Sequence, residues 1–276
     1  MKISDLSCEY IEHILSSSNL QEYETSYPTL FDHYFRYWAD RKKPLIKLTE
    51  GEINTRTRLI NNELKSVAAK FKAFGLNIDD LNIVLFVGQG SSNGHAFLDA
   101  DRFVVWLPIE TYDSQLLARV FITHEIIHAF HYAGSPEFYF DNAEEMRSVS
   151  RRLITEGLAT YLTLKILNVD ALTALWADYL PDDKADRWFN ECRIRGKEIF
   201  ANLLENFSTC DPDFGLFYAS DPNDILKFRA GYYAGLRLIE QIADQCKIEP
   251  TGFLTLSRDK FEQLIFDRLQ RYGSSD

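Results

Sequence analysis

Hydrophobic residues recur at helical spacing through the first part of the chain. Residues 5–41 follow this pattern and include a dense aromatic cluster, residues 27–38, which we interpret mostly as core. Thr49-Glu50-Gly51-Glu52 has the S/T-x-x-E form of a capping box, in which two side chains satisfy the first free N–H groups of a helix. The pattern predicts an N-terminal helical part, residues 1–75, whose long last helix ends near Gly75.

The hydrophobic period then changes to that of β-strands. Residues 81–87 (LNIVLFV) form a β-rich run, and residues 88–94 (GQGSSNG) predict a turn or loop. Residues 95–107 (HAFLDADRFVVWL) predict two short strands around Asp99-Ala100-Asp101. Because extended peptides commonly bind by adding a strand to a sheet edge, the first of these strands is a candidate peptide-binding edge, with a plain hairpin as the alternative.

Helical spacing returns after Pro108 and continues through the rest of the sequence. The predicted helices cover roughly residues 114–132, 143–168, 185–206, 223–245 and 257–271. A small sheet between helices, without βαβ alternation, predicts a mostly helical α+β fold. We expect a single catalytic unit, residues 1–276, in which a sheet lobe (76–168) and a C-terminal helical lobe (169–276) follow the N-terminal helical part.

Composition and charge limit the classes of partner. The 276 residues are 46% hydrophobic, enough for a core, and the net charge of −11 with a pI near 5.1 provides no positive field for nucleic acid or an anionic membrane. The first residues lack the apolar run of a signal peptide, and no apolar stretch approaches the ~20 residues of a membrane span. Four widely spaced cysteines predict reduced thiols, so we expect a cytoplasmic protein.

Two histidines interrupt the apolar helix predicted at residues 114–132. In residues 121–134 (FITHEIIHAFHYAG), His124 and His128 are four residues apart and therefore lie on one helix face. They can direct two imidazoles at one ion, while Glu125 reaches a water molecule beside it. A lone histidine on such a helix is usually a core residue that bonds a backbone carbonyl, but this spacing with a glutamate between favours a zinc site.

A catalytic zinc site needs a third protein ligand. His131 lies on the same face, but the longer H-E-x-x-H-x-x-G-x-x-H pattern requires glycine where the chain has His131 and histidine where it has Gly134. Glu144 and Glu145 belong to a charged run that is typical of a solvated helix start.

Glu156 is the strongest candidate for the third ligand. It is a single carboxylate in an otherwise apolar helical stretch (LITEGLATYLTLK), and such a group is costly to bury unless it is paired or bound to metal. The alternative is a buried salt bridge to a basic residue such as Arg151, Arg152 or Lys165. Gly157 and Ala159 are small enough to let another helix approach closely.

These residues resemble the gluzincin pattern of zinc metallopeptidases, in which two histidines and a glutamate from a downstream helix bind zinc. His124-Glu125-Ile126-Ile127-His128 is followed by Glu156-Gly157-Leu158-Ala159, and residues 155–161 (TEGLATY) are similar to the E-G-x-A-x-Y helix of gluzincin aminopeptidases. The G-x-M-E-N motif of those aminopeptidases is missing here, so their specificity does not carry over.

A closer overall likeness is to the bacterial predicted zinc-dependent proteases that are classed as a domain of unknown function. In that family a strand and an S-N-G turn precede H-E-x-x-H, E-G-x-A and a late G-Y-x-x-G helix. The counterparts here are residues 81–94, 124–128, 156–159 and 231–235 (GYYAG), and the likeness covers roughly residues 80–245. It implies a zincin-like fold, a Zn²⁺ cofactor, and a peptide or protein substrate.

The expected reaction is hydrolysis of a peptide bond by a zinc-activated water. Glu125 would take the proton of that water and return it to the leaving amine. The resemblance implies Tyr232, in the G-Y-x-x-G motif, as the donor to the oxyanion, with Tyr233 and His131 as alternatives.

Three other functions compete with this hypothesis. Gly90-Ser91-Ser92-Asn93-Gly94 fits the G-x-S-x-G pattern with Ser92 as nucleophile, but a nucleophile elbow leads into a helix, and the sequence that follows is strand-like. Gly88 and Gly90 lack the third glycine of a dinucleotide-binding motif. A zinc-binding or metal-free interaction domain with a protease-like fold would not need Glu125, because a structural zinc site has four protein ligands and no general base.

Overall fold

The computed structural model describes residues 1–211 and 213–273, which form a mostly helical α+β structure with a small mixed sheet. The strands are β1 (Lys2–Asp5), β2 (Asn82–Phe86), β3 (His95–Asp99) and β4 (Arg102–Pro108). Among the described residues the sheet has four strands in the order β1-β2-β4-β3. β2 pairs in parallel with β1 and β4, whereas β3 and β4 are antiparallel, so β3 forms one edge.

Contacts along the chain separate it into two compact units, Met1–Ala129 and the part that begins at Phe130. The helices that begin in the first unit are α1 (Ser7–Tyr10), which continues as a π-helical turn (Ile11–Leu15), α2 (Leu20–Thr25), α3 (Pro28–Tyr37), α4 (Glu50–Ala73) and α5 (Gln115–Gly134). A 3₁₀ turn (Ile109–Thr111) precedes α5, and the boundary between the units falls inside α5.

The capping box predicted at Thr49 is confirmed. The Thr49 hydroxyl accepts a hydrogen bond from the Glu52 backbone N–H at 3.2 Å, and the Glu52 carboxylate accepts one from the Thr49 backbone N–H at 2.7 Å. These bonds satisfy two donors that the first helical turn leaves free. The helix that follows ends at Ala73, with Gly75 in the left-handed conformation just beyond it.

The first strand was not predicted, and it changes the topology of the sheet. Residues 2–5 (KISD) contain a single apolar residue, Ile3, so they show no clear alternation. They are extended because β2 supplies the partners: the Lys2 N–H donates to the Leu81 carbonyl and the Leu6 N–H to the Leu85 carbonyl, each at 2.9 Å. The expectation of a sheet confined to residues 81–107 is therefore wrong, and a helical crossover joins the parallel strands β1 and β2.

The second unit is helical in the part of the chain that the structure describes. Its helices are α6 (Ala143–Arg147), α7 (Val149–Leu167), α8 (Ala171–Trp176), α9 (Asp182–Ile194), α10 (Gly196–Glu205), α11 (Ala230–Cys246) and α12 (Arg258–Gly273), with 3₁₀ turns at Pro136–Phe138, Gly215–Phe217, Ile225–Lys227 and Pro250–Thr255. Two helices predicted as continuous are interrupted, one at Ser148, which caps α7 by accepting from the Arg151 N–H at 3.4 Å, and one at Arg195.

Helices α7 and α11 pack closely through a pair of glycines. A Cβ atom placed on Gly157 would lie 2.6 Å from the backbone carbon of Gly235, and one placed on Gly235 would lie 2.8 Å from Cα of Gly157. Contacts this short leave no room for any side chain at either position. The close helix approach predicted at Gly157 is thus confirmed, and Gly235, the last residue of the GYYAG segment, is its partner.

None of the helices formed by residues 1–211 and 213–273 has both the length and the apolar composition needed to cross a lipid bilayer. The division into parts 1–75, 76–168 and 169–276 stays a prediction.

Candidate metal centre

Helix α5 carries the three central residues of the predicted site. His124, Glu125 and His128 are 5%, 7% and 4% exposed, so three polar side chains are buried in an apolar helix. The two imidazole rings are 4.8 Å apart between centroids, and their Nε2 atoms are separated by 3.1 Å. Two ligands of one tetrahedral zinc ion lie roughly 3.3 Å apart, so this separation fits a shared ion.

Glu156 lies on α7 and completes a group of three ligands. The ligand atoms of His124, His128 and Glu156 all lie within 4.8 Å of one another. Two imidazole nitrogens and one carboxylate oxygen are the donor set of many catalytic zinc sites, which keep a fourth position for water. The residues therefore fit a zinc ion by their chemistry and by their proximity.

The basic residues considered as salt-bridge partners of Glu156 are engaged with other groups. Arg151 donates to the Phe138 carbonyl at 2.6 Å, Arg152 lies 4.6 Å from the ring centroid of Phe217, and Lys165 lies 5.3 Å from that of Tyr161. Burial lowers the pKa of the Arg151 guanidinium, and the charge of Glu156 is among the groups that raise it.

Glu125 lies against the glycine loop, residues 88–94. A Cβ atom on Gly94 would come within 2.6 Å of Cγ of Glu125, and Gly94 has a φ of +153°, a conformation that other residues rarely adopt. Burial raises the pKa of the Tyr112 hydroxyl well above its usual value, and the charge of Glu125 raises it further. Sequence reasoning missed the contact between Gly94 and Glu125.

Three consecutive residues before α5 hold the glycine loop in place. The carboxylate of Glu110 accepts hydrogen bonds from the N–H groups of Gly88 and Gly90, each at 3.0 Å. The Thr111 hydroxyl donates to the Ser92 carbonyl at 3.2 Å, and the Tyr112 hydroxyl donates to the Asn93 carbonyl. Residues 110–112 are named here the loop clamp. The only sequence signal for the loop clamp is a carboxylate, Glu110, two residues after the end of the apolar strand β4.

Burial raises the pKa of the Glu110 carboxyl, and the bonds from Gly88 and Gly90 act in the opposite direction. Desolvation disfavours the charged form, whereas N–H donors favour it. Because the structure places one donor on each carboxylate oxygen, the loop conformation depends on this side chain.

Tyr232, the predicted oxyanion donor, lies in the first turn of α11. It is half-buried, and the guanidinium of Arg229 lies 4.3 Å from the centroid of its ring. Gly235, in the next turn of the same helix, contacts Gly157, the neighbour of Glu156 in sequence. Tyr233, the alternative, is buried against aromatic rings of α9.

His131 and the two acidic residues of α6 occupy other environments. His131 is 1% exposed, and its ring centroid lies 4.5 Å from that of Phe138 in an aromatic cluster. Glu144 and Glu145 lie in the first turn of α6, where Glu145 forms an ion pair of 3.1 Å with Arg258. These contacts agree with the expectation of a helix start rather than a ligand pair.

The hydroxyl of Ser92 is used within its own loop. It donates to the Gly94 carbonyl at 2.6 Å and accepts from the Gly94 N–H at 3.1 Å. Strand β3, not a helix, follows at His95, so the loop lacks the strand-to-helix turn of a serine hydrolase.

Comparison of the chain with models of known protein families, with curated proteins and with solved structures finds no match. The function of the chain must therefore be inferred from its own residues and the arrangement of this centre.

Proposed function

We propose that the chain is a zinc-dependent metallopeptidase of the gluzincin type. The observation that carries the proposal is the convergence of His124, His128 and Glu156 within 4.8 Å, together with a buried glutamate, Glu125, that follows the first ligand. The resemblance to gluzincins and to the bacterial predicted zinc-dependent proteases, stated above, points to the same chemistry.

In this proposal each residue has a separate task. His124, His128 and Glu156 hold a zinc ion, which when bound supplies a Lewis acid and lowers the pKa of a water molecule. Glu125 takes the proton of the attacking water and delivers it to the leaving amine. The hydroxyl of Tyr232 donates a hydrogen bond to the oxygen that becomes negatively charged.

We propose a peptide or protein as the substrate. β3 is an edge strand of the sheet and follows the loop that contacts Glu125, so an extended peptide that pairs with this strand would lie next to the general base. The net charge of −11 weighs against nucleic acid as a partner. Four free cysteines, of which Cys8 and Cys246 are exposed, support a reducing compartment such as the cytoplasm.

The test combines metal analysis with a cleavage assay. After purification without chelator we expect about one zinc ion per wild-type chain, and loss of stable zinc binding in His124→Ala, His128→Ala and Glu156→Ala. Glu144→Ala and Glu145→Ala are the matched controls and should retain the ion. If Glu156→Ala holds zinc normally while one of the controls does not, the assignment of the third ligand is wrong.

Glu125→Gln separates an enzyme from a binding domain. Glutamine keeps the size of the side chain but removes the base, so zinc content should match wild type while turnover of a mixed peptide library falls by a factor of ~10² or more. A wild-type protein that holds zinc but cuts no peptide, or a Gln variant that cuts equally well, would favour the alternative of a zinc-binding interaction domain with a protease-like fold.

A further inference from the structure

A basic segment stands out in this acidic chain. Residues 36–47 (RYWADRKKPLIK) contain five cationic side chains and one acid, Asp40, although the whole chain has a net charge of −11. The segment includes the end of α3 and the residues that follow it. Such a local excess of positive charge attracts anionic groups over a distance of about 10 Å at ordinary ionic strength.

The basic segment lines a cleft of about 500 Å³. Its lining residues include Arg36, Tyr37, Trp38, Asp40 and Lys43, together with Gln89 and Ser91 of the glycine loop. The cleft therefore combines two cations, one carboxylate and two aromatic rings with the loop that contacts the predicted general base. The cations can pair with a carboxylate of a ligand, and the aromatic rings can pack against the methylene groups that carry it.

The side chain of Gln89 joins the glycine loop to the basic segment. Its Nε2 donates to the carbonyls of Asp40 at 2.8 Å and Lys43 at 2.7 Å, and its Oε1 accepts from the Asp40 N–H at 3.1 Å. Both amide hydrogens and the amide oxygen are thus used. Three hydrogen bonds therefore fix the position of the glycine loop against the basic segment at the cleft.

The two cations in the cleft are available to a ligand. Arg36 and Lys43 are exposed, and neither forms an ion pair with any carboxylate in residues 1–211 or 213–273. The neighbouring Arg41 differs, because it is paired with Glu24 at 3.1 Å and Asp32 at 3.3 Å. The carboxylate of Asp40 accepts from the Lys42 N–H at 2.9 Å.

The cleft is close to the predicted general base. Ser91 and Gly94 are three residues apart, and an extended chain of that length spans at most roughly 10 Å. Gly94 in turn abuts the side chain of Glu125. Since a bound peptide in β conformation advances ~3.3 Å per residue, a peptide of several residues could extend from the bond that Glu125 would help to break to the cleft.

We propose that this cleft binds a carboxylate of the peptide substrate, through Arg36 and Lys43, a few residues from the cleaved bond. The inference rests on the proposed peptidase function and adds a preference to it. The carboxylate belongs either to an acidic side chain or to the C terminus of a short peptide, and the two sources share the same chemistry of recognition.

The experiment uses short peptides of neutral sequence in four matched forms. A glutamate is moved stepwise along the peptide and compared with glutamine at the same position, and each peptide is made with a free or an amidated C terminus. Binding to the Glu125→Gln protein and cleavage by wild type are measured together. We expect one of the two carboxylates to lower Kd and KM roughly two- to fivefold, the scale of an exposed charge pair.

Variants of the cleft test whether the cations are responsible. Arg36→Gln and Lys43→Gln should each remove most of that preference in Kd and KM, and Lys43→Glu should favour lysine over glutamate in the same position. Lys70→Gln, which removes an exposed cation of α4, is the matched control and should have no effect.

The outcomes distinguish this inference from the proposed function. If neither carboxylate affects binding, or if Lys70→Gln weakens the preference as much as Lys43→Gln does, the cleft proposal is overturned. If the protein binds acidic peptides through Arg36 and Lys43 but cleaves none of them, the cleft proposal stands and the peptidase proposal fails.

Discussion

Two glycines illustrate different ways of building the candidate centre. A Cβ atom on Gly157 would come within 2.6 Å of Gly235, and one on Gly94 would come within 2.6 Å of Glu125. The distances are equal, but the neighbour of Gly157 is backbone, whereas the neighbour of Gly94 is a side chain. A backbone cannot move without shifting a helix, and a side chain can change its rotamer.

The two glycines have different roles, because Gly157 contributes to the stability of the fold and Gly94 contributes to the position of Glu125. Gly157 and Gly235 set how closely α7 and α11 pack. The position of Glu156 depends on that packing because Glu156 is adjacent to Gly157. Gly94 belongs to a loop that the loop clamp holds through hydrogen bonds. Changes at the helix contact should therefore act mainly on folding, and changes in the loop should act mainly on the reaction.

The largest effect is expected for Gly235→Ala. Its methyl group would lie within 2.6 Å of the Leu153 carbonyl oxygen and 2.8 Å of Cα of Gly157, so α7 and α11 must move apart. We expect the free energy of unfolding to fall by about 2–4 kcal/mol, measured by denaturant titration.

Gly51→Ala provides the control, because no atom lies within 4 Å of a Cβ added at Gly51 in α4. The same substitution there should raise the free energy of unfolding by about 0.5–1 kcal/mol. Equal stability of the Gly235→Ala and wild-type proteins would contradict the close contact of the two helices.

Gly94→Ala should have a smaller effect on folding and a clear one on turnover. Alanine is strained at a φ of +153°, and its methyl group would push the side chain of Glu125 aside. We expect a loss of about 1–3 kcal/mol in unfolding free energy. The peptidase turnover of the folded protein should fall at least roughly tenfold, since a small displacement of a catalytic group is costly.

Zinc content distinguishes the two glycine variants further. Gly94→Ala leaves the three ligands in place, so it should retain the ion while it loses turnover. A Gly94→Ala protein with wild-type turnover would show that the loop does not position Glu125.

The smallest effect is expected for Glu110→Gln in the loop clamp. Glutamine offers one acceptor where the carboxylate serves both Gly88 and Gly90, so one backbone N–H loses its partner at a cost of about 1–3 kcal/mol. Denaturant titration of the two proteins at neutral pH measures this difference, and no difference would mean that the loop does not depend on the carboxylate.

The difference in stability between wild type and Glu110→Gln should change with pH in a defined direction. Burial raises the pKa of Glu110 above its usual value of 4.5, so the folded protein binds the proton more tightly than the unfolded chain does. The stability that wild type gains from tighter binding of this proton is complete below pH 4.5 and is lost as the pH rises through the folded-state pKa, whereas the hydrogen bonds from Gly88 and Gly90 still stabilise the ionised form at neutral pH. The stability advantage of wild type over Glu110→Gln should therefore shrink from pH 4.5 upward. An advantage that grows with pH would mean that the pKa of Glu110 is lowered rather than raised in the folded protein.

The sequence by itself predicted the features that depend on local spacing. The i, i+4 positions of His124 and His128 follow from the helical period, and the capping box at Thr49 lies within four consecutive residues. Glu156 stood out because a single carboxylate interrupted an apolar helical pattern. Strands β2, β3 and β4 followed from short runs of β-forming residues between turn signals.

The tertiary structure alone decided which distant residues meet. Strand β1 exists because β2 offers hydrogen bonds to residues with little strand character, and Gly235 became meaningful only as the neighbour of Gly157. Glu110 supports the centre through hydrogen bonds from the glycine loop, which is separated from it in sequence by β3 and β4. Local periodicity indicates which face of a helix or strand is buried, but it does not identify the segment that packs against that face. Contacts between segments distant in sequence could therefore be found only in the folded chain.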